Sequence, residues 1–190
     1  MKIVTTPDSR LRQRCKKINQ ISDETKEIIA KMRKSSLDWE KDHPHELSAA
    51  MAAPQLGFDK RVIIVRDDLD NKDNNNFTAF INPEVIRTEG RTETDYEGCL
   101  SVPFIYGLVP RPTKVKIKAL LEDGTPVRIK AEGSLARTFL HEIDHLNGIL
   151  FIDHIKDKEK AFFRMNDEGD LEPVDYEKEI KDNESLWGNE

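Results

Sequence analysis

Apolar and polar residues alternate most regularly between positions 113 and 133, in the stretch TKVKIKALLEDGTPVRIKAEG. Apolar side chains occupy every second position of 115–119 and again of 127–131, with basic residues between them. An alternation with a period of two places all of the apolar side chains on one face of a strand. Asp123-Gly124, between the two runs, is a favoured turn pair. The segment therefore predicts a β-hairpin that is buried on one face only.

Two other segments repeat their apolar residues at the three- or four-residue spacing of a helix. The first covers residues 23–39 and follows a serine and an aspartate, which are good N-cap residues. The second, SLARTFLHEIDHLNG, covers residues 134–148 and ends on Asn147-Gly148, a pair that often forms a left-handed cap. Both segments are predicted to be helices with one apolar side.

Shorter apolar runs predict further buried segments. RVIIV, at 61–65, is bounded by charge and predicts a buried strand. FTAFINPEVI, at 77–86, predicts a strand that stops at Pro83, because proline has no N–H to donate to a neighbouring strand. The acidic, asparagine-rich residues 67–77 predict a loop, and ILFIDHI, at 149–155, predicts a short buried segment.

These elements show neither an internal repeat nor a strand–helix–strand rhythm. Their order predicts an α+β fold, with mainly antiparallel β-sheets packed around a central helix that carries HEIDH at 141–145, and an additional N-terminal helix. We expect a single domain over residues 1–155. Charged residues dominate positions 156–190, and for these we expect a solvated C-terminal tail.

Composition narrows the classes of function. The chain has 190 residues, of which 37% are hydrophobic and 35% charged, and it contains no apolar run of the roughly 20 residues that a membrane helix needs. A net charge of −6 argues against DNA as a partner, because a phosphate backbone requires a basic surface. Two cysteines, Cys15 and Cys99, make no disulfide framework, and the first residues lack the apolar stretch of a secretory signal. We therefore expect a cytoplasmic protein, in which Cys15 is buried filler.

The clearest chemical pattern lies in the second predicted helix. His141 and His145 are four residues apart, so they lie on one helix face and can bind the same metal ion. Glu142 leans to the same side and can act as a general acid/base on a water that the metal activates. The alternative is a solvated helix whose histidines pair with neighbouring acids.

A third ligand would distinguish these interpretations, because catalytic sites of this kind use three protein ligands and an open position. HLNGILFID, which begins at the second motif histidine, lacks the further histidine that the metzincin proteases have downstream. Glutamates further along the chain leave a thermolysin-like site as an alternative. His43, His45 and His154 are expected to be exposed or locally bonded. Cys99, in DYEGCLSVP, is the better ligand, since a thiolate is a strong soft donor and two histidines with one cysteine suit Zn²⁺ or Fe²⁺.

EGCLS at 97–101 and HEIDH at 141–145, preceded by AAMAAPQLG at 49–57, together resemble the three motifs of the peptide deformylase family. The likeness covers most of residues 1–155, which would then form a catalytic domain, and leaves the tail unmatched. It implies a metal-dependent hydrolase that removes the formyl group from formylmethionine at the N-terminus of newly made polypeptides and releases formate.

The resemblance also implies roles for individual residues. Cys99, His141 and His145 would hold one divalent metal ion. The family usually uses Fe²⁺, and Zn²⁺, Ni²⁺ and Co²⁺ are alternatives. Glu142 would be the general acid/base. The side chain of Gln55 and the backbone N–H of Leu100 would stabilise the oxyanion. The residues expected to contact substrate are Ala50, Gly98, Arg137 and Thr138.

Beyond the site, the resemblance pairs Glu97 with Arg111, which would brace the cysteine strand. Asp144, inside the motif, is expected to orient a histidine or cap nearby backbone. The implied partners are N-formylmethionyl nascent peptides and the ribosome surface, with neither DNA nor a membrane.

The first motif departs from the family pattern, because Ser48 and Ala50 stand where glycines are usual, and Leu140 stands where glutamine is common. Glycine permits unusual backbone angles and close approach of a peptide, so these changes affect the substrate groove rather than the metal chemistry. Two alternatives therefore remain. One is a metallohydrolase for other N-acyl or peptide bonds, and the other is an inactive metal-binding module that docks at the ribosome.

Overall fold

The alternating segment forms the predicted hairpin in the computed structural model, which describes residues 1–69, 71, 73–166 and 168–188. The outgoing and returning strands pair in register, with Ile117 opposite Ile129. Gly124 adopts a positive φ of 87° in the turn, which glycine does without steric cost. Of the predicted loop and tail, Asp70, Lys72, Asp167, Asn189 and Glu190 lie outside the described residues.

Seven strands make one sheet in the described part of the chain, and every strand pairing is antiparallel. The predicted α+β class with a mainly antiparallel sheet is confirmed. The strands are β1 Ala50–Ala52, β2 Val62–Arg66, β3 Phe77–Cys99, β4 Val102–Leu120, β5 Pro126–Glu132, β6 Phe162–Met165 and β7 Leu171–Pro173.

The predicted end of a strand at Pro83 is wrong, because β3 continues to Cys99. The pairing of β3 with β4 shifts between Ile81 and Glu84, and this bulge takes Pro83 out of the regular ladder. Asn82 adopts a φ of 52° at the bulge, and its side chain exchanges two hydrogen bonds with the backbone of Ile18. The long strand then delivers Cys99 to a tight turn before β4.

Two helices cover opposite faces of the inner strands, which explains why every residue of β2 is buried. The helices are α1 Asp23–Asp42 and α2 Gly133–His145, and short helices α3 Tyr176–Glu179 and α4 Glu184–Trp187 follow near the C-terminus. Ile63 and Val65 pack in the cluster under α2, whereas Val62 and Ile64 pack in the cluster under α1. The HEIDH helix therefore packs against one face of the inner strands. Among the described residues, no helix is both long and apolar enough to span a bilayer.

The expectation of a solvated tail after Lys156 is wrong for much of that segment. The strand β6 pairs with β4, and β7 extends the sheet beyond β6. Phe162, Ile180 and Leu186 are buried in a cluster with Val102 and the predicted 149–155 segment. A few apolar residues, spaced widely among charges, are enough to dock this segment. The division of function between 1–155 and 156–190 stays a prediction.

Candidate metal centre and active site

Two elements bring the three expected ligands together. Cys99 ends β3 at the turn into β4, and His141 and His145 lie one turn apart on α2. The ligand atoms of the three residues all lie within 4.8 Å of one another, and Cys99 Sγ is 3.2 Å from His145 Nε2. Donors around a tetrahedral ion are separated by about 3.5 Å, so this spacing suits one shared cation.

The protonation preferences of the histidines also fit a cation at this point. Burial lowers the pKa of His145 well below its ordinary value, which favours the neutral imidazole that binds metals. Burial acts in the same direction on His141, but the neighbouring Cys99 and Glu97 outweigh it and raise its pKa. His145 is thus held as the neutral imidazole that ligates a metal, and His141 lies beside a thiol and a carboxylate. One sulfur and two imidazole nitrogens at this spacing are a donor set for a divalent metal ion, so the residues present fit the group that the motif implies.

Glu97 forms the centre of the cluster behind the ligands. Its carboxylate accepts hydrogen bonds from Arg111 Nε at 2.9 Å, from Arg137 at 2.8 Å, and from His141 Nδ1 at 2.9 Å. Burial alone would raise the pKa of this carboxyl, but His141 and Arg111 outweigh it and hold the pKa well below its usual range. The expected pairing of Glu97 with Arg111 is confirmed. The bond to Nδ1 directs the other ring nitrogen of His141 toward Cys99.

The cluster continues through Asp144 on the far side of Arg111. Asp144 Oδ2 accepts from Arg111 at 2.5 Å and from His154 Nε2 at 2.7 Å. Asp144 therefore orients a histidine, as expected, but that histidine is His154 and not a metal ligand. His154 is locally bonded, also as expected.

On the other side of the three metal ligands, Glu142 and Gln55 face the cavity. Glu142 is buried, and its Oε2 has no hydrogen-bond partner among the described residues. Burial raises the pKa of Glu142 to about 7. Gln55 is also buried, and its Oε1 accepts from Ala52 N at 2.8 Å, which turns the amide nitrogen toward Cys99 Sγ, 3.6 Å away. A poised carboxylate and an oriented amide donor thus face the same space.

That space is a cavity of about 390 Å³. All of the residues expected in catalysis or substrate contact border it, namely Ala50, Gln55, Gly98, Leu100, Arg137, Thr138 and Glu142, together with Cys99 and His141. The polar groups of Arg137 and Thr138 are already engaged. Arg137 also donates to Val109 O at 2.8 Å, and the hydroxyl of Thr138 donates to Ser134 O at 2.9 Å.

The sequence patterns do not indicate several other residues that line the cavity, among them Trp39, His45, Glu46, Tyr106 and Met165. Tyr106 stands opposite Gly98 in the β3–β4 pairing, and a Cβ added at Gly98 would lie 2.5 Å from the Tyr106 ring. No local pattern marks these residues, because they come from three distant parts of the chain.

The two glycine replacements differ in position. The hydroxyl of Ser48 is 2.8 Å from that of Ser36 in α1, and Ser48 is 2% exposed. Ala50 lies in β1 opposite Val65 and borders the cavity. Neither has a positive φ, so this backbone does not require glycine.

Comparisons with known proteins agree with this arrangement. The polypeptide deformylase family model matches residues 1–161. A peptide deformylase of Halothermothrix orenii is 44% identical over 148 residues, which are 78% of this chain and 88% of that protein. A peptide deformylase of Thermomicrobium roseum is 40% identical over 159 residues, which are 82% and 86% of the two chains.

Solved structures give the same result. Peptide deformylase 1B of Arabidopsis thaliana, solved with an inhibitor, superposes with a TM-score of 0.73 at 30% identity over 83% of each chain. The Synechococcus elongatus peptide deformylase in complex with actinonin gives 0.71 at 35% identity, over 82% of this chain and 80% of that one. The chain therefore belongs to the polypeptide deformylase family and is an enzyme of that family.

Proposed function

We propose that the chain performs the deformylase reaction with the residues that surround this cavity. Water adds to the formyl carbon of an N-formylmethionyl peptide, the C–N bond breaks, and formate and a free amino terminus are released. The observation that carries the assignment of roles is the buried Glu142, whose Oε2 has no hydrogen-bond partner in the described part of the chain and which borders the same cavity as Cys99 and His141.

Cys99, His141 and His145 are proposed to hold one divalent ion, which when bound lowers the pKa of water and polarises the formyl oxygen. We propose Fe²⁺ as the ion in cells, and Zn²⁺, Ni²⁺ and Co²⁺ as ions that also occupy the site. One thiolate and two imidazoles are donors that all four accept. Support for iron in particular comes from the family resemblance alone.

Glu142 is proposed to take the proton from water at Oε2 and to deliver it to the departing amide nitrogen. A general base works best with a pKa near the working pH, and burial places that of Glu142 at about 7. Both steps need the carboxylate on the cavity side of α2, where it is.

Gln55 and the backbone N–H of Leu100 are proposed to stabilise the negative charge that develops on the formyl oxygen. The hydrogen bond from Ala52 N fixes the Gln55 amide before substrate arrives, so no reorganisation is needed during the reaction. This role is supported by the position of Leu100, which lies in the turn directly after Cys99 and borders the cavity.

Substrate contact is proposed for Ala50, Gly98, Arg137 and Thr138, all of which border the cavity. Because the guanidinium of Arg137 is bonded to Glu97, its contribution is through the stem of the side chain and through the shape of the wall. The side chain of the substrate's formylmethionine is proposed to lie against Arg137 and Thr138.

The same reaction supports a cotranslational role in the cytoplasm, with nascent chains as substrates and the ribosome surface as a partner. Both cysteines are free thiols, and a thiol ligand needs a reducing compartment. This placement of the protein is a proposal that rests on the chemistry of the substrate.

A comparison of two acyl groups tests the substrate. Protein prepared without oxygen is given formyl-Met-Ala and acetyl-Met-Ala, and bound metal is quantified in the same sample. We expect formate release to be faster than acetate release by orders of magnitude, because the extra methyl must fit beside the ligands. Equal or faster release of acetate would contradict the proposal, and metal-loaded protein without either activity would favour the inactive module.

A further inference from the structure

The C-terminal hairpin of β6 and β7 lies beside the active-site cavity, although these strands fall outside residues 1–161 of the family match. In β6, Tyr106 of β4 stands opposite Phe163, and on its other side Tyr106 stands opposite Gly98. Residues directly opposite each other in a sheet present their side chains on the same face. One row of the sheet therefore leads from the neighbour of the metal ligand Cys99 to the hairpin.

The two faces of β6 have different surroundings, because one packs in the core and the other lies beside the cavity. Phe162 points into the core and is 1% exposed. Phe163 and Met165, on the opposite face, are both half-buried. The Phe163 ring meets Tyr96, which borders the cavity, edge-on with centroids 5.1 Å apart. Met165 borders the cavity itself.

Met165 completes a wall of the cavity together with Tyr106 and Glu46. Its Sδ lies 3.8 Å from the hydroxyl of Tyr106, and that hydroxyl donates to Glu46 from the segment after α1. The turn between β6 and β7 reaches the same segment, because a Cβ added at Gly169 would lie 3.9 Å from the His45 side chain. The hairpin thus joins β4 to the segment after α1 and bounds the cavity between them.

We propose that the β6–β7 hairpin forms the subsite for the substrate residue that follows formylmethionine, and that Met165 contacts the side chain of this residue. The inference rests on the proposed function, which places the formyl group at the Cys99 cluster and the methionine side chain toward Arg137 and Thr138. The rest of the peptide then leaves toward Tyr106 and Met165. A thioether beside aromatic rings makes an adaptable apolar surface, so the subsite favours apolar side chains.

The test compares kcat/KM for formate release from formyl-Met-Leu amide, formyl-Met-Gly amide and formylmethionine amide. Met165→Ala is expected to lower the value for the leucine substrate by about three- to tenfold, the size of effect that a few lost methylene contacts produce. Its value for formylmethionine amide, which has no following residue, should stay unchanged. Met165→Leu should retain the preference for leucine.

Leu171→Ala is the matched control, because Leu171 stands opposite Met165 in the β6–β7 pairing but does not border the cavity. It should leave all three values unchanged. If Met165→Ala lowers the melting midpoint strongly, Met165→Gln keeps the length of the side chain and should show the same selective loss.

Equal losses on all three substrates, or no loss with leucine, would overturn the subsite. Wild-type protein that releases no formate from any of them would instead overturn the proposed function.

Discussion

The two glutamates on either side of His141 differ in every respect that matters to chemistry. Glu97, behind the ligands, accepts hydrogen bonds from two arginines and a histidine, and its pKa lies well below the usual range. Glu142, on the cavity side, has one oxygen with no hydrogen-bond partner among the residues that the structure describes, and burial raises its pKa to about 7. Both residues are 5% exposed, so the degree of burial does not cause the difference.

This difference indicates that Glu97 holds the metal ligand His141 in position and that Glu142 is the carboxylate suited to react. A carboxylate with several fixed donors is locked in its ionised form and orients what it touches. A buried carboxylate without donors changes its protonation near neutral pH, as a general acid/base must. The following changes test this division of roles, and they are ordered from the largest expected effect to the smallest.

Removal of Cys99 acts on the donor that the two sides share. Cys99→Ala is expected to reduce bound metal from about one ion per chain to near zero and to lower turnover by at least about a thousandfold, because metal activation of water is lost. Elemental analysis and formate release measure the two effects. Cys15→Ala is the control, since Cys15 is buried away from the cluster, and it should retain metal. Unchanged metal in Cys99→Ala would exclude this sulfur as a ligand.

Removal of Glu97 should damage the holding side. Glu97→Ala removes one of the two carboxylates that pair with the buried Arg111 and leaves only Asp144, and the loss of one partner of a buried ion pair costs about 3 to 5 kcal/mol of unfolding free energy. Urea unfolding measures this loss. Glu93→Ala changes an exposed carboxylate on the same strand and should cost less than about 0.5 kcal/mol. Similar losses from the two variants would show that the cluster behind the ligands is not cooperative.

Removal of the Glu142 charge should affect the stability of metal-free protein in a pH-dependent way. The pKa of Glu142 is raised from 4.5 in the unfolded chain to about 7 in the fold, so stability is complete below about pH 4.5 and falls as pH rises through 7. In Glu142→Gln this fall is absent. The stability of the variant relative to wild type should therefore increase by about 2 to 3 kcal/mol between about pH 4 and pH 8. A relative stability that does not change with pH would contradict the raised pKa.

The glycine replacements should have the smallest effects. Ala50→Gly removes one methyl from the cavity wall, and we expect kcat/KM for formyl-Met-Ala to change by less than about fivefold. Ser48→Gly breaks the bond to Ser36 and should cost about 1 kcal/mol of stability without a change in rate. A large gain in rate from Ala50→Gly would show that the methyl obstructs the groove.

Local patterns predicted those parts of the fold that local interactions determine. The alternation of residues 115–119 and 127–131 with an Asp-Gly turn gave the β4–β5 hairpin, and helical spacing gave α1 and α2. The prediction failed where tertiary contacts decide. Pro83 is tolerated inside β3 because the pairing bulges around it, and charge hid the apolar residues that dock the C-terminal segment.

The candidate site divides in the same manner. The spacing of His141 and His145 is a helix property and can be read directly, and three short motifs together indicated Cys99 and Gln55. The partners of Arg137 could not be read, because Glu97 and Val109 meet it only through the packing of α2 on β3 and β4. Tyr106 reaches the cavity through its pairing with Gly98, and Met165 reaches it through the pairing of β6 with β4.

One measurement tests most directly whether Glu142 takes part in the reaction without being needed to hold the metal. Bound metal and formate release from formyl-Met-Ala are determined in the same samples of wild type and of Glu142→Gln. We predict a full complement of metal in the variant and a turnover lower by at least about a thousandfold, because only the proton acceptor is lost. Turnover within about tenfold of wild type in a metal-loaded variant would contradict this account.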